Sequence, residues 1–262
     1  MTICKKNGLD KIFTGVTYFS LIVLYAPIAT IAVNSVTKGP LPGRPHFGET
    51  LALYRAMIEN ESLLSALSVS LTVAFTSASL ATVFGSIAAL ALRANPGRIL
   101  TAIVLTPIGV PEIIQGISLL ILFSCLGFAL GPWTVILGHA ALATSFVAVV
   151  IAAQFARFDN RLLDAAADLG ASPFQRLWHI TLPLLRPGIW SGFLVAGLLS
   201  LDDFIISFFT TGAGFETLPI AIYSMIKFGL NPEVYALSVI IQVLTGIVSL
   251  VVINRTAFTV VK

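Results

Sequence analysis

The sequence predicts an all-α, polytopic membrane protein, with six transmembrane helices in a single domain over residues 1–262. Three observations predict it. The composition is 57% hydrophobic and only 10% charged, whereas a soluble domain carries about 25% charge to coat its surface. The apolar residues fall into six runs, 12–36, 62–92, 99–127, 131–155, 184–206 and 232–254, each with the roughly 20 residues that cross about 30 Å of hydrocarbon as a helix. The basic residues are one-sided: Lys5, Lys6, Lys11, Arg93, Arg98, Arg157, Arg161, Arg176, Arg186, Arg255 and Lys262 fall on one side of these runs, against Lys38, Arg44, Arg55 and Lys227 on the other. The positive-inside tendency then places both termini and the polar loop at 157–183 in the cytoplasm, with membrane lipid around the spans. The net charge of +3 reports this topology. Scattered basic residues with no interleaved aromatics imply no nucleic-acid partner.

The first run is longer than the 7–15 apolar residues of a signal peptide and lacks a cleavage site, so it is expected to stay as a peripheral first span, with Pro27 inside it and its end near Asn34 and Ser35. A Pro/Gly-rich stretch from Lys38 to Pro45 follows, then a more helical run through Tyr54 and Met57 toward Glu61. That segment reads as an external connector or as a contact for a partner outside the membrane. The second run carries Ser65, Ser68, Thr72, Thr76, Ser79, Thr82 and Ser86 at spacings of three and four. The stripe predicts a face turned from lipid, packed closely against another helix or lining a path.

In the third run Pro107, Gly109 and Pro111 precede Glu112 and Gln115. Two prolines so close remove backbone hydrogen bonds and must bend or break the helix, and broken membrane helices persist only beside protein or a wet cavity. Glu112 and Gln115 are therefore candidate pathway residues. The fourth run holds His139 and Gln154. His139 has no second His, Cys or carboxylate at ligand spacing, so it is expected to be a bonded structural residue, with no metal site and no cofactor. Cys4 and Cys125 are expected on the cytoplasmic side and within a span, so they should not meet.

The fifth run brings Asp202 and Asp203 to its external end, as further pathway candidates or as capping residues. A Gly-rich turn at 210–216 and a short helix near 218–227 follow, and Asn231-Pro232-Glu233 opens the sixth run.

The loop at 157–183 is the polar segment with its own order. Leu162, Ala166 and Leu169 share one helical face, and Gly170 stands where a helix stops in the left-handed region. Ser172, Pro173 and Gln175 stand at the N-cap, first-turn and capping-box positions of a second short helix, expected to end near Leu182 before Pro183 and Pro187. A unit this small cannot bury a core, so its apolar face needs a partner.

Asp164, Ala165 and Ala166, then Gly170, then Ile180, Leu182 and Pro183 stand at the spacing of a known motif. In this the chain resembles the permease subunits of binding-protein-dependent ABC importers, whose fold has this type of six-span architecture (type I) and whose cytoplasmic loop carries Glu-Ala-Ala, three residues, Gly, nine residues, Ile-x-Leu-Pro. Only Asp164 departs, an aspartate where the family usually has glutamate. The resemblance implies that these seven residues form a coupling helix docked on a separate ATPase subunit. It also implies a solute-binding protein outside the membrane and a site in the bacterial cytoplasmic membrane. The segments Leu201 to Ile205, Thr217 to Ile226 and Asn231 to Leu237 are similar to the second permease subunit of spermidine/putrescine importers, which implies an unlike, homologous permease partner and a polyamine solute. Permeases for iron(III), thiamine or phosphonate share much of this architecture and stay open as alternatives.

No G-x-x-x-x-G-K-[ST], G-x-G-x-x-G, H-E-x-x-H or G-x-S-x-G motif occurs. An ATPase site within the chain is thus excluded, which agrees with the resemblance, and the chain reads as a transport subunit rather than an enzyme. The competing readings are a carrier driven by protons through Glu112 and a membrane-embedded enzyme; both leave the 157–183 motif without a role. A charged Glu112 facing lipid would cost about 2.5–3.5 kcal/mol, so a proton, water, a partner subunit or a passing cation must compensate it. With Asp202 and Asp203, an acidic path favours cations over anions.

Overall fold

The computed structural model describes residues 8–36, 50–229 and 233–260, and every regular element among them is helical. Cys4, Lys5, Lys6, Lys262, the proline-rich stretch and Asn231-Pro232 lie outside the described residues. In order the elements are α1 Gly8–Asn34, α2 Thr50–Glu59, α3 Glu61–Ala94, α4 Arg98–Gly109, α5 Glu112–Cys125, α6 Pro132–Phe155, α7 Arg161–Asp168, α8 Pro173–Arg176, a π turn Leu177–Thr181, α9 Leu182–Asp202, α10 Ile205–Thr210, α11 Leu218–Phe228 and α12 Glu233–Val260. Four described segments are long and apolar enough to cross a membrane: Phe13–Asn34, Glu61–Ala94, Pro132–Phe155 and Pro173–Asp202. The pair α4 and α5 makes a fifth if taken as one span, bent by 106° at its break.

The described residues form two compact units, one drawn from Met1–Glu61 with Lys227–Ser249, the other from Ser62–Ile226 with Leu250–Lys262. In the first, the apolar stretch of α1 is exposed along its length, as a lipid-facing helix should be. Its end is held where Asn34 and Ser35 are buried and the Tyr54 hydroxyl reaches Ser35 Oγ at 3.4 Å. Asn60 Nδ2 donates to Glu233 Oε2 at 2.6 Å, tying the end of α2 to the first turn of α12.

The second unit is built on α6. Its core joins Ala78, Ala81 and Ala89 of α3, Ala143, Val147 and Ile151 of α6, and Leu185 and Ala196 of α9. Small residues bring these backbones close, the usual solution where lipid supplies no hydrophobic drive between helices. A Cβ at Gly85 would stand 2.7 Å from Val147 Cβ and 2.9 Å from the Thr144 carbonyl.

The hydroxyl stripe of α3 is not this packed face. Ser65, Ser68 and Thr72 are exposed and the rest half-buried, while the buried side of α3 runs through Leu63, Ala66, Ser70, Val73, Ser77, Ala81 and Gly85. The stripe stays satisfied because Ser68, Thr72, Thr76, Ser79, Thr82 and Ser86 each donate to a carbonyl of their own preceding turn.

One expectation is corrected. The helix from Pro173 does not end near Leu182; it continues past Pro183 and Pro187 to Asp202. The chain widens at Leu177–Thr181, where the Leu182 N–H bonds the Leu177 carbonyl five residues back. This π turn lies immediately before Pro183, whose ring would crowd the carbonyl four residues back in a regular helix.

Candidate functional site

Two regions gather the residues singled out by sequence. The first is the hairpin of α7 and α8. The end of α7 is a complete Schellman motif: Ala171 N–H bonds the Ala166 carbonyl at 2.9 Å and Gly170 N–H the Ala167 carbonyl at 2.9 Å, with Gly170 at φ +84°. Ser172 then caps α8. Its Oγ accepts from Gln175 N at 3.3 Å, and Gln175 Oε1 accepts from Ser172 N at 2.8 Å. These local bonds fix the turn without tertiary support, and an added Cβ on Gly170 would meet nothing within 4 Å.

The hairpin leaves apolar surface uncovered. Leu162 and Leu169 of the α7 stretch are 48% and 89% exposed, and Phe174 and Trp178 are 68% and 55% exposed with their rings 6.0 Å apart. Among the motif residues, Asp164, Ala165, Gly170 and Pro183 are exposed, while Ala166, Ile180 and Leu182 are half-buried.

The second region surrounds the break between α4 and α5. Pro111 has no N–H for the Pro107 carbonyl, and the turn also strands Val110. Gln115 answers both: its Nε2 donates to the Pro107 carbonyl at 2.7 Å and to the Val110 carbonyl at 2.8 Å. Gln115 therefore secures the bend. Glu112, exposed in the first turn of α5, feels the charges of Asp203 and Asp202, which stand far from it in sequence.

The two aspartates differ in setting. Asp202 is exposed. Asp203 is 8% exposed, and its Oδ1 accepts from Ile206 N at 2.9 Å and Ser207 N at 3.1 Å, capping α10. The same Oδ1 lies 3.4 Å from His139 Nε2. His139 is buried, with Nδ1 2.7 Å from Ser200 Oγ and Nε2 2.9 Å from Ser207 Oγ. Ser77 Oγ lies 3.0 Å from Ser200 Oγ. One polar network thus links α3, α6, α9 and α10, and His139 is the bonded structural residue expected of it.

Sequence reasoning did not single out the aromatic cluster beside these acids. Phe204 stacks near Tyr223 with centroids 4.9 Å apart, and Phe208 lies 5.6 Å from Phe204 and 6.4 Å from Tyr223. The signal was present only as Phe204 following two aspartates.

Residues 81–257 match the family described as the binding-protein-dependent transport system inner membrane component. The chain belongs to that family. This inner membrane component is 40% identical over 225 residues to the spermidine/putrescine transport system permease protein PotC of Escherichia coli (strain K12), covering 85% of each chain. It is 36% identical over 239 residues to the putrescine transport system permease protein PotI of the same organism, covering 87% of this chain and 84% of PotI. In fold it is similar to a chain of a bacterial ABC transporter involved in import of the acidic polysaccharide alginate, with a TM-score of 0.70 over 96% of this chain and 99% of that one at 16% identity. The inner membrane component is a transport subunit and not an enzyme, and its family works with a solute-binding protein.

Proposed function

We propose that this chain is one of two unlike permease subunits of an ATP-driven importer of spermidine, putrescine or a similar small organic cation, with both termini and the 157–183 hairpin in the cytoplasm. The exposed Leu162, Leu169, Phe174 and Trp178 surface supports docking of a separate ATPase at Asp164, Ala165, Ala166, Gly170, Ile180, Leu182 and Pro183. Apolar side chains outside lipid are costly unless a partner covers them. The exposed small hydroxyls of α3 suit close packing of a second permease, since small residues let membrane helices approach. The names of PotC and PotI support a polyamine solute.

The observation that carries the cation reading is Asp202 and Asp203 next to the ring pair of Phe204 and Tyr223, 4.9 Å apart, with Glu112 feeling the charge of both aspartates. Acids draw ammonium groups, and ring faces accept both cations and methylene chains. Gln115 and Asp203 serve this region by fixing the α5 and α10 termini that carry it. Glu112→Gln and, separately, Asp202→Asn are expected to lower spermidine uptake by roughly tenfold or more while the assembled complex is recovered in full. Proteoliposome uptake checks this, and full-rate uptake by both variants would remove the acids from the pathway.

A further inference from the structure

Arg93 stands in the last turn of α3, where the helix carbonyls favour a cation. Its guanidinium carbon lies 4.5 Å from the Phe155 ring centroid and 4.7 Å from that of Phe158, two rings 6.2 Å apart. Its Nη2 donates to Asn160 Oδ1. One side chain therefore joins the end of α3 to the end of α6, to the connecting turn and to the residue that begins the hairpin. Asn160 occupies the N-cap position of α7, where an asparagine side chain normally bonds its own helix. Here it makes no cap bond and is turned to Arg93, while Asp159 Oδ1 accepts from Arg161 N at 3.0 Å in its place. Phe155 in turn packs on the core that contains Ala89 and Ile151.

We propose that Arg93 is a positioning residue that transmits displacement of the hairpin to α3, through a clamp of Phe155, Phe158 and Asn160. The inference rests on the reading that the hairpin docks an ATPase. A planar guanidinium stacked on two rings and bonded along its edge resists sliding as well as separation, which a lysine ammonium cannot reproduce. Movement imposed on the start of α7 is thereby handed to the helix that carries the hydroxyl stripe.

The test uses the purified complex in proteoliposomes, with spermidine uptake and ATP hydrolysis measured on the same sample. Arg93→Gln is expected to keep the ATPase bound at the parent's ratio but to lower spermidine moved per ATP on the order of tenfold, the scale of losing a half-buried cation–ring contact and a charged hydrogen bond. Phe158→Leu should reproduce that loss, and Arg93→Lys should fall between Arg93→Gln and the parent. Because the readout is a ratio, a lower yield of folded complex does not move it. An unchanged ratio in Arg93→Gln, or equal losses of uptake and hydrolysis, would overturn the clamp. If the unmodified complex fails to retain an ATPase, the docking reading falls and takes this proposal with it, a result distinct from either.

Discussion

Gly170→Val is expected to abolish transport while leaving the chain inserted in the membrane. Gly170 sits at φ +84° with open space around a would-be Cβ, so the effect is a backbone one and not a clash with neighbours. The left-handed conformation costs a residue with a Cβ about 1–2 kcal/mol, with branched side chains at the upper end. Escape from that strain breaks the bonds from Ala171 to Ala166 and from Gly170 to Ala167. It then swings α8 away from α7. The exposed side chains on the two helices no longer present one surface, and the proposed docking surface is lost although nothing in the membrane core has changed. Co-purification of the ATPase and spermidine uptake should both fall in the order Gly, Ala, Val at position 170. A Gly170→Val complex that assembles and transports normally would refute docking through this turn.

Asp203→Ala is expected to destabilise the chain by about 2–4 kcal/mol, the sum of a lost cap and unpaired buried groups. The substitution strands the Ile206 and Ser207 N–H groups and removes the carboxylate beside His139. Neither is replaceable by water at 8% exposure. Asp203→Asn keeps an acceptor oxygen for α10 and should cost less than the alanine. Thermal unfolding of the purified complex, followed by tryptophan fluorescence, measures both. Equal midpoints for the alanine variant and the parent would show that the cap and the network contribute nothing.

The hairpin was legible because its signals are local. A glycine after an apolar helical face, and Ser-Pro-x-Gln at capping spacing, specify their own bonds, and those bonds form without help from the fold. The break at Pro107 and Pro111 was legible for the same reason: a missing N–H is a property of the residue. What sequence could not separate was Asp202 from Asp203. Both are acids at a helix end, and only His139, brought close by the packing of α6 on α9 and α10, distinguishes the buried cap from the exposed neighbour. The role of Gln115 in securing the bend was likewise hidden, since its reach to the Pro107 carbonyl exists only after the 106° bend. The α3 stripe was legible as hydroxyls at helical spacing, but that a different face of α3 packs within this chain was not. In α3 the hydroxyls are satisfied by their own turn, so alanines and Gly85 make the close approach. Pro183 marked a stop that the π turn at Leu177–Thr181 removes, and no residue in that turn announces it.

This chain is proposed to move a small organic cation at the expense of ATP hydrolysed by a separate subunit. ATP hydrolysis by the reconstituted complex, measured with its binding protein against a panel of spermidine, putrescine, phosphate and sulfate, tests it most directly. The account predicts that the two polyamines raise hydrolysis above the solute-free rate and that the anions leave it at that rate. Stimulation by an anion, or a flat response to both polyamines, would contradict it.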